Sequence, residues 1–349
     1  MNQQLPLINN AFTLFLSLLV EAMPFLLLGV LFSGLLLLFV DERKLIANLP
    51  KNPLLGALVG SFVGFLFPVC ECGNVPVARR LLMQGAPPPV AIGFLLAAPT
   101  INPIVIWATW TAFRDQPEIV VLRVVFSLVI ATLVGWVFSA QADLRPLLQP
   151  AVSLVMKPTP TQPKLREWLA QQKAQTPELL RSGTFLLGKP GQPVRMDATA
   201  MQATLAATSP TKPLSNRLHL LLENTVQELR ELGAVLIVGS AIAASIQVLV
   251  PREVILSLGS GPITSIAAMM LLAGLVSICS TVDSFFALSF ASTFTSGSLL
   301  AFLVFGPMID LKGVGLLLSI FKPRAVIYLF ALAAQLTFLL TLFINLHVI

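Results

Sequence analysis

The sequence predicts an all-α integral membrane protein: a polytopic helical bundle of two repeated halves with broken or re-entrant helices. Three observations predict it. First, 56% of the 349 residues are hydrophobic and 11% are charged, with a mean hydropathy of +0.87, whereas a soluble domain carries about 25% charged residues. Second, apolar runs near the span length of about 20 residues recur along the chain. Third, landmarks of the first half return in the same order in the second.

The elements follow in order. The opening MNQQLPLINN has no Lys or Arg, unlike the basic start of a signal peptide, so a membrane span is expected from residue 11. Spans are expected over 11–40, 53–69, 88–111 and 118–140, then over 232–250, 262–279, 298–321 and 324–346. That makes about eight, with the segments around the cysteines re-entrant or broken and the halves parallel. If residues 75–87 and 284–297 also crossed, there would be ten spans and the halves would be inverted. The expected organisation is a first membrane repeat (1–140), a linker (141–219) and a second repeat (220–349). The linker is rich in Pro, Gln, Thr and Lys, a composition too polar to bury a core. It carries ten Lys/Arg against four Asp/Glu, an excess of six that equals the net charge of the whole chain. Between membrane spans this excess predicts a cytoplasmic linker in a multi-pass protein of the cell membrane, rather than a nucleic-acid site.

The two halves share their spacing. Gly29 follows Glu21 by eight residues and Gly239 follows Glu231 by eight; Val40 and Val250 close their runs nineteen after the same glutamates. Cys70 follows Glu21 by 49 and Cys279 follows Glu231 by 48. Pro99 and Asn102 match Pro307 and Asp310, and Arg123 and Arg324 open the last run of each half. Duplication is a common plan of secondary transporters.

The polar residues within the apolar runs are the candidate site. Three cysteines make no disulfide framework in a chain this long. Cys70 and Cys72 flank Glu71, and on a helix residues two apart diverge by about 200°. Gly73 and Pro76 discourage helix. An extended segment is therefore expected, with both sulfurs on one side and Glu71 on the other. Cys279, Ser280 and Asp283 stand at the corresponding place in the second half, followed by Ser284, Ser289, Ser292 and Thr293. Asn102 and Asp310, each three residues after a proline, interrupt spanning runs in matching positions, the arrangement that marks a midplane substrate site. Glu21, Glu71 and Glu231 are candidates for a proton or substrate pathway, because a carboxylate within a span is costly. Arg79 and Arg80 are expected to anchor at the cytoplasmic face. No phosphate loop, Ser/His/Asp constellation or metalloprotease motif occurs, so neither an enzyme nor a bound cofactor is expected.

The stretches CECGNVP, GAPPPVAIGFLLAAPTINP, CSTVDSFFA and FGPMIDLKG resemble the predicted permeases of the YraQ/ArsP type, a family that includes efflux permeases for trivalent organoarsenicals. The resemblance covers roughly 11–140 and 220–346. It implies a permease with a cysteine-lined path on Cys70, Cys72, Gly73, Pro76, Cys279, Ser280, Asp283, Pro307, Asp310 and Lys312. The first expectation is efflux of a thiophilic species such as a trivalent arsenical. The alternative is a zinc or copper permease working with a partner membrane subunit. There Cys70, Cys72 and Cys279 would be the metal ligands, and Glu71, standing where the family has a small residue, would favour a cation. A third is a membrane thiol-redox or scaffold protein. The partners expected are the lipid bilayer, the small thiophilic or metal substrate and that subunit; no nucleic acid is expected.

Overall fold

The computed structural model describes residues 4–39, 49–50, 52–67, 70–139, 147–149, 152, 214–249, 261–291 and 293–347. Among them are twelve α-helices and no strand. The first six are α1 (Gln4–Phe39), α2 (Pro53–Leu66), α3 (Glu71–Met83), α4 (Pro88–Ile101), α5 (Pro103–Ala112) and α6 (Pro117–Ser139). The other six are α7 (Leu214–Leu249), α8 (Pro262–Val276), α9 (Asp283–Leu288), α10 (Ser296–Met308), α11 (Leu311–Leu318) and α12 (Pro323–His347). Each set opens and closes on a long helix with four shorter ones between. Most of the linker, Val40, Val250 and Ser292 lie outside the described residues.

Among the described residues six stretches are long and apolar enough to cross a membrane: Asn9–Gly34, Pro88–Ala112, Pro117–Ser139, Thr225–Ile246, Ser296–Leu318 and Pro323–His347. Two of these, α4–α5 and α10–α11, are broken helices. The expected spans over 53–69 and 262–279 are only 14 and 15 residues of helix. At about 1.5 Å per residue neither reaches the ~30 Å of a hydrocarbon core. Expected spans thus number six of full length plus two short apolar helices.

Proline and capping side chains set the breaks. Pro53, Pro88, Pro103, Pro117, Pro262 and Pro323 all stand at the first helical position, where a missing N–H costs nothing. Asn102 ends α4 and caps α5, its Oδ1 accepting from the Val105 N–H at 2.9 Å. Asp310 does the same for α11, accepting from the Gly313 N–H at 2.6 Å.

Packing joins the halves along their length. α1 lies against α7, α3 against α11, α5 against α9, and α4 against α10. Where α1 crosses α3 the backbones nearly touch: a Cβ on Gly29 would collide with the Gly73 carbonyl. This close approach of small residues replaces the hydrophobic drive that lipid cannot supply. The linker's first described residues also pack on the second half. Gln149 N–H donates to Ile320 O at 2.9 Å, Lys322 N–H donates to Leu147 O at 2.7 Å, and Leu148 and Val152 are buried. Residues 147–149 and 152, inside the expected linker, therefore pack on the second half.

Candidate functional site

The site forms where the short helices α3, α9 and α11 begin. Cys70 is the extended residue before α3, and Glu71 and Cys72 already lie in its first turn. The extended Cys70–Cys72 segment expected from Gly73 and Pro76 is therefore replaced by helix. Both residues sit within α3, and every residue of that helix is buried. The reason is positional: Pro76 lacks only the N–H that would reach the Cys72 carbonyl, a local loss near a helix start. Cys70 escapes the 200° divergence because it stands outside the helix. Its sulfur lies within 4.8 Å of the Cys279 sulfur.

Cys279 arrives from the second half. α8 ends at Ser277, a non-glycine residue in the left-handed region with φ 49°. Such backbone is strained and tends to be kept at functional places. It turns the chain so that the Ser277 hydroxyl accepts from the Leu311 N–H at 3.1 Å, tying the end of α8 to the start of α11. The three cysteines are free and buried. Ligand atoms of Cys70, Glu71 and Cys279 lie within 4.8 Å of one another. Thr281 donates to the Cys279 sulfur at 3.7 Å.

A charged group flanks the thiols. Lys312 on α11 is 1% exposed, and its ammonium lies 3.7 Å from Glu71 Oε1. It also interacts electrostatically with Asp310, Cys72 and Glu21. Glu71 Oε2, Asp310 Oδ2, Asn74 Oδ1 and the Ser280 hydroxyl are buried with no hydrogen-bond partner. Buried polar atoms are nearly always paired, and Glu71, which stands in one group with Cys70 and Cys279, keeps an oxygen that can meet a ligand or water.

Other candidates fall elsewhere. Both carboxylate oxygens of Asp283 are taken by Arg123, at 2.7 and 3.2 Å. Glu21 is half-buried on α1. Glu231 is half-exposed and pairs with Arg79 at 3.2 Å. Arg79 and Arg80, expected as surface anchors, are instead buried. Arg80 pairs with the buried Glu228 at 2.5 Å and also donates to Ser33 at 3.4 Å. Two arginines cannot reach an interface when their helix is enclosed on all sides, so they find carboxylates on α7. Asn74 and Thr109 carry no signal in the sequence; Glu228, in an amphipathic approach to the membrane, reads as solvated but is buried; Arg123 stands out only as a landmark of the repeat, and Lys312 only through the resemblance. An ionisable residue within a spanning run is the signal for the last two.

The comparisons with known proteins agree with a membrane permease. The ArsP_1 family, described as "Predicted permease", matches residues 7–346. The chain belongs to that family. It is 35% identical over 317 residues to UPF0718 protein YcgR of Bacillus subtilis (strain 168), covering 91% of this chain and 90% of the relative. It is 32% identical over 314 residues to a "Putative two-component membrane permease complex subunit" of Streptococcus mutans serotype c, covering 90% and 88%. No solved structure matches it. An ArsP_1 chain with several helices long and apolar enough to cross a membrane is a multi-pass membrane protein, and the family and one relative are named as permeases.

Proposed function

We propose that this ArsP_1 chain is a secondary efflux permease of the cell membrane that passes a thiophilic small species through the site of Cys70, Cys72 and Cys279. A trivalent organoarsenical is the first candidate. The observation that carries the proposal is the meeting of two buried, unbridged thiols from opposite halves, Cys70 and Cys279, with the third buried thiol, Cys72, two residues along the chain from Cys70. A trivalent arsenic hydroxide exchanges each hydroxyl for a sulfur: one As–S bond forms, one As–O bond breaks, and the thiol proton leaves with the hydroxyl as water. The exchange is reversible and needs no oxidant, which suits a carrier. The matching order of six helices in each half supports a duplicated architecture with a midplane site. The basic linker supports a cytoplasmic connection between the repeats.

A second reading is favoured by one observation. Glu71 stands with Cys70 and Cys279 in a group of ligand size, and two sulfurs with a carboxylate suit Zn²⁺ or Cu⁺. One relative is named as a subunit of a two-component complex, which supports a partner subunit for this chain under either reading.

The test is cellular accumulation of methylarsenite, zinc and copper in a sensitive host expressing wild type or Cys70→Ser/Cys72→Ser. A cysteine-dependent fall in arsenic carries the first reading, and the same fall in zinc or copper carries the second. No cysteine-dependent change in any element removes both.

A further inference from the structure

We propose that Arg123 is a positioning residue that sets the place of the Cys279 thiol from the opposite half of the molecule. The proposal rests on the thiol site described above but concerns its geometry, not its cargo.

Cys279 lies in a short loop, between the strained end of α8 and the six-residue α9. Its own backbone anchor is a tight turn, with the N–H groups of Val282 and Asp283 donating to the Cys279 carbonyl at 2.9 and 3.1 Å. So whatever holds Asp283 holds Cys279. Asp283 is held by Arg123 of α6, which is 1% exposed and grips both carboxylate oxygens. The same guanidinium donates to Thr109 on α5 at 2.8 Å and to Ser284 at 2.9 Å. Thr109 and Ser284 also share a hydrogen bond at 3.0 Å. Four side chains from three helices thus close around the first turn of α9.

Cys70 is held differently. Asn74, also four residues after its cysteine, is tied to α4 of its own half through Leu95 O at 2.7 Å. The first-half thiol turn leads into a 13-residue enclosed helix; the second-half turn leads into six residues. The weaker element takes its anchor from the other half. Cys279 is thus held from both halves: through Ser277 and Leu311 in the second, and through Asp283 and Arg123 in the first. A planar fork is required, because a lysine can supply the charge but not the two parallel bonds.

The test joins Cys70 to Cys279 in the full chain, in a Cys72→Ser background with a protease site placed at Thr176. After diamide oxidation and cleavage, a Cys70–Cys279 disulfide holds the two pieces together on a non-reducing gel. The variants are Arg123→Lys, which keeps the charge, and Arg123→Gln/Asp283→Asn, which leaves no unpaired buried ion. Both are expected to slow joining by at least about tenfold, within the roughly hundredfold that a displacement of about 1 Å can cost reacting groups, while still eluting as a single species. Joining at the parental rate in either folded variant overturns the proposal. Failure of both to fold also overturns it, by making Arg123 a folding residue. If the parent itself does not join, the thiol convergence falls, and the positioning role falls with it.

Discussion

Asn74 donates its side-chain amide to the Leu95 carbonyl at 2.7 Å, and Pro99 is the reason that carbonyl is available. Pro99 lies inside α4 four residues after Leu95 and has no N–H to offer it. A proline inside one helix thus leaves the acceptor that fastens another. Asn74→Leu is expected to lower stability by about 1–3 kcal/mol, the cost of a buried carbonyl left alone. In a Pro99→Ala background the restored N–H serves Leu95, and the same substitution should cost measurably less. Thermal unfolding of the four proteins in detergent gives the coupling; equal costs in the two backgrounds would refute the linkage.

Arg79 and Arg80 are neighbours with unequal partners. Glu228 is 4% exposed in its side chain and Glu231 is 42% exposed. Arg80→Met should cost about 3–5 kcal/mol, since it strands a buried carboxylate. Arg79→Met should cost about 0–1 kcal/mol, as an exposed pair does. The comparison is made by thermal unfolding, and the reverse order would mean that Glu228 is hydrated.

The glycines matched by spacing are not equivalent. A Cβ at Gly29 meets the Gly73 backbone, which cannot move aside, whereas at Gly239 it meets Lys312 at 3.5 Å, an ordinary contact. Gly29→Ala is expected to destabilise by about 1–3 kcal/mol and Gly239→Ala by less than about 1 kcal/mol. Expression yield and melting temperature measure the difference.

Lys312 neutralises Glu71 beside Asp310 and Glu21. Lys312→Met should therefore cost about 3–5 kcal/mol, by leaving buried carboxylates uncompensated. Glu71→Gln removes one of those carboxylates and is expected to be tolerated in the fold. It also separates the two transport readings: methylarsenite efflux should persist in it, while zinc or copper transport should be lost. Accumulation measurements on this variant decide between them.

Much of the architecture was legible in the sequence because lipid imposes it. An apolar run of about 20 residues has few alternatives to a spanning helix, and Pro at the first helical position marks where six of the twelve described helices begin. The breaks at Asn102 and Asp310 were legible for the same reason: a proline followed by a capping side chain ends one helix and starts another. The cysteines, too, could be picked out as candidate ligands, since thiols and carboxylates are expensive in a membrane without a task.

Tertiary packing decided what those residues do. Local rules favoured an extended CEC segment; the enclosed α3 instead admits helix up to Cys70, because the bonds lost at Gly73 and Pro76 are outweighed by burial on every side. Asp283 and Glu71 looked alike as intramembrane acids, yet one is fully gripped by Arg123 and the other keeps an unpaired oxygen beside the thiols. Their partners, Arg123 and Lys312, lie 160 and 241 residues away in the chain. By itself the sequence determined which segments enter the membrane and where they break, because those are properties of single helices in an apolar solvent. Only the folded structure decided which charges neutralise one another and which remain free for a ligand, because pairing depends on contacts between halves that no local pattern encodes.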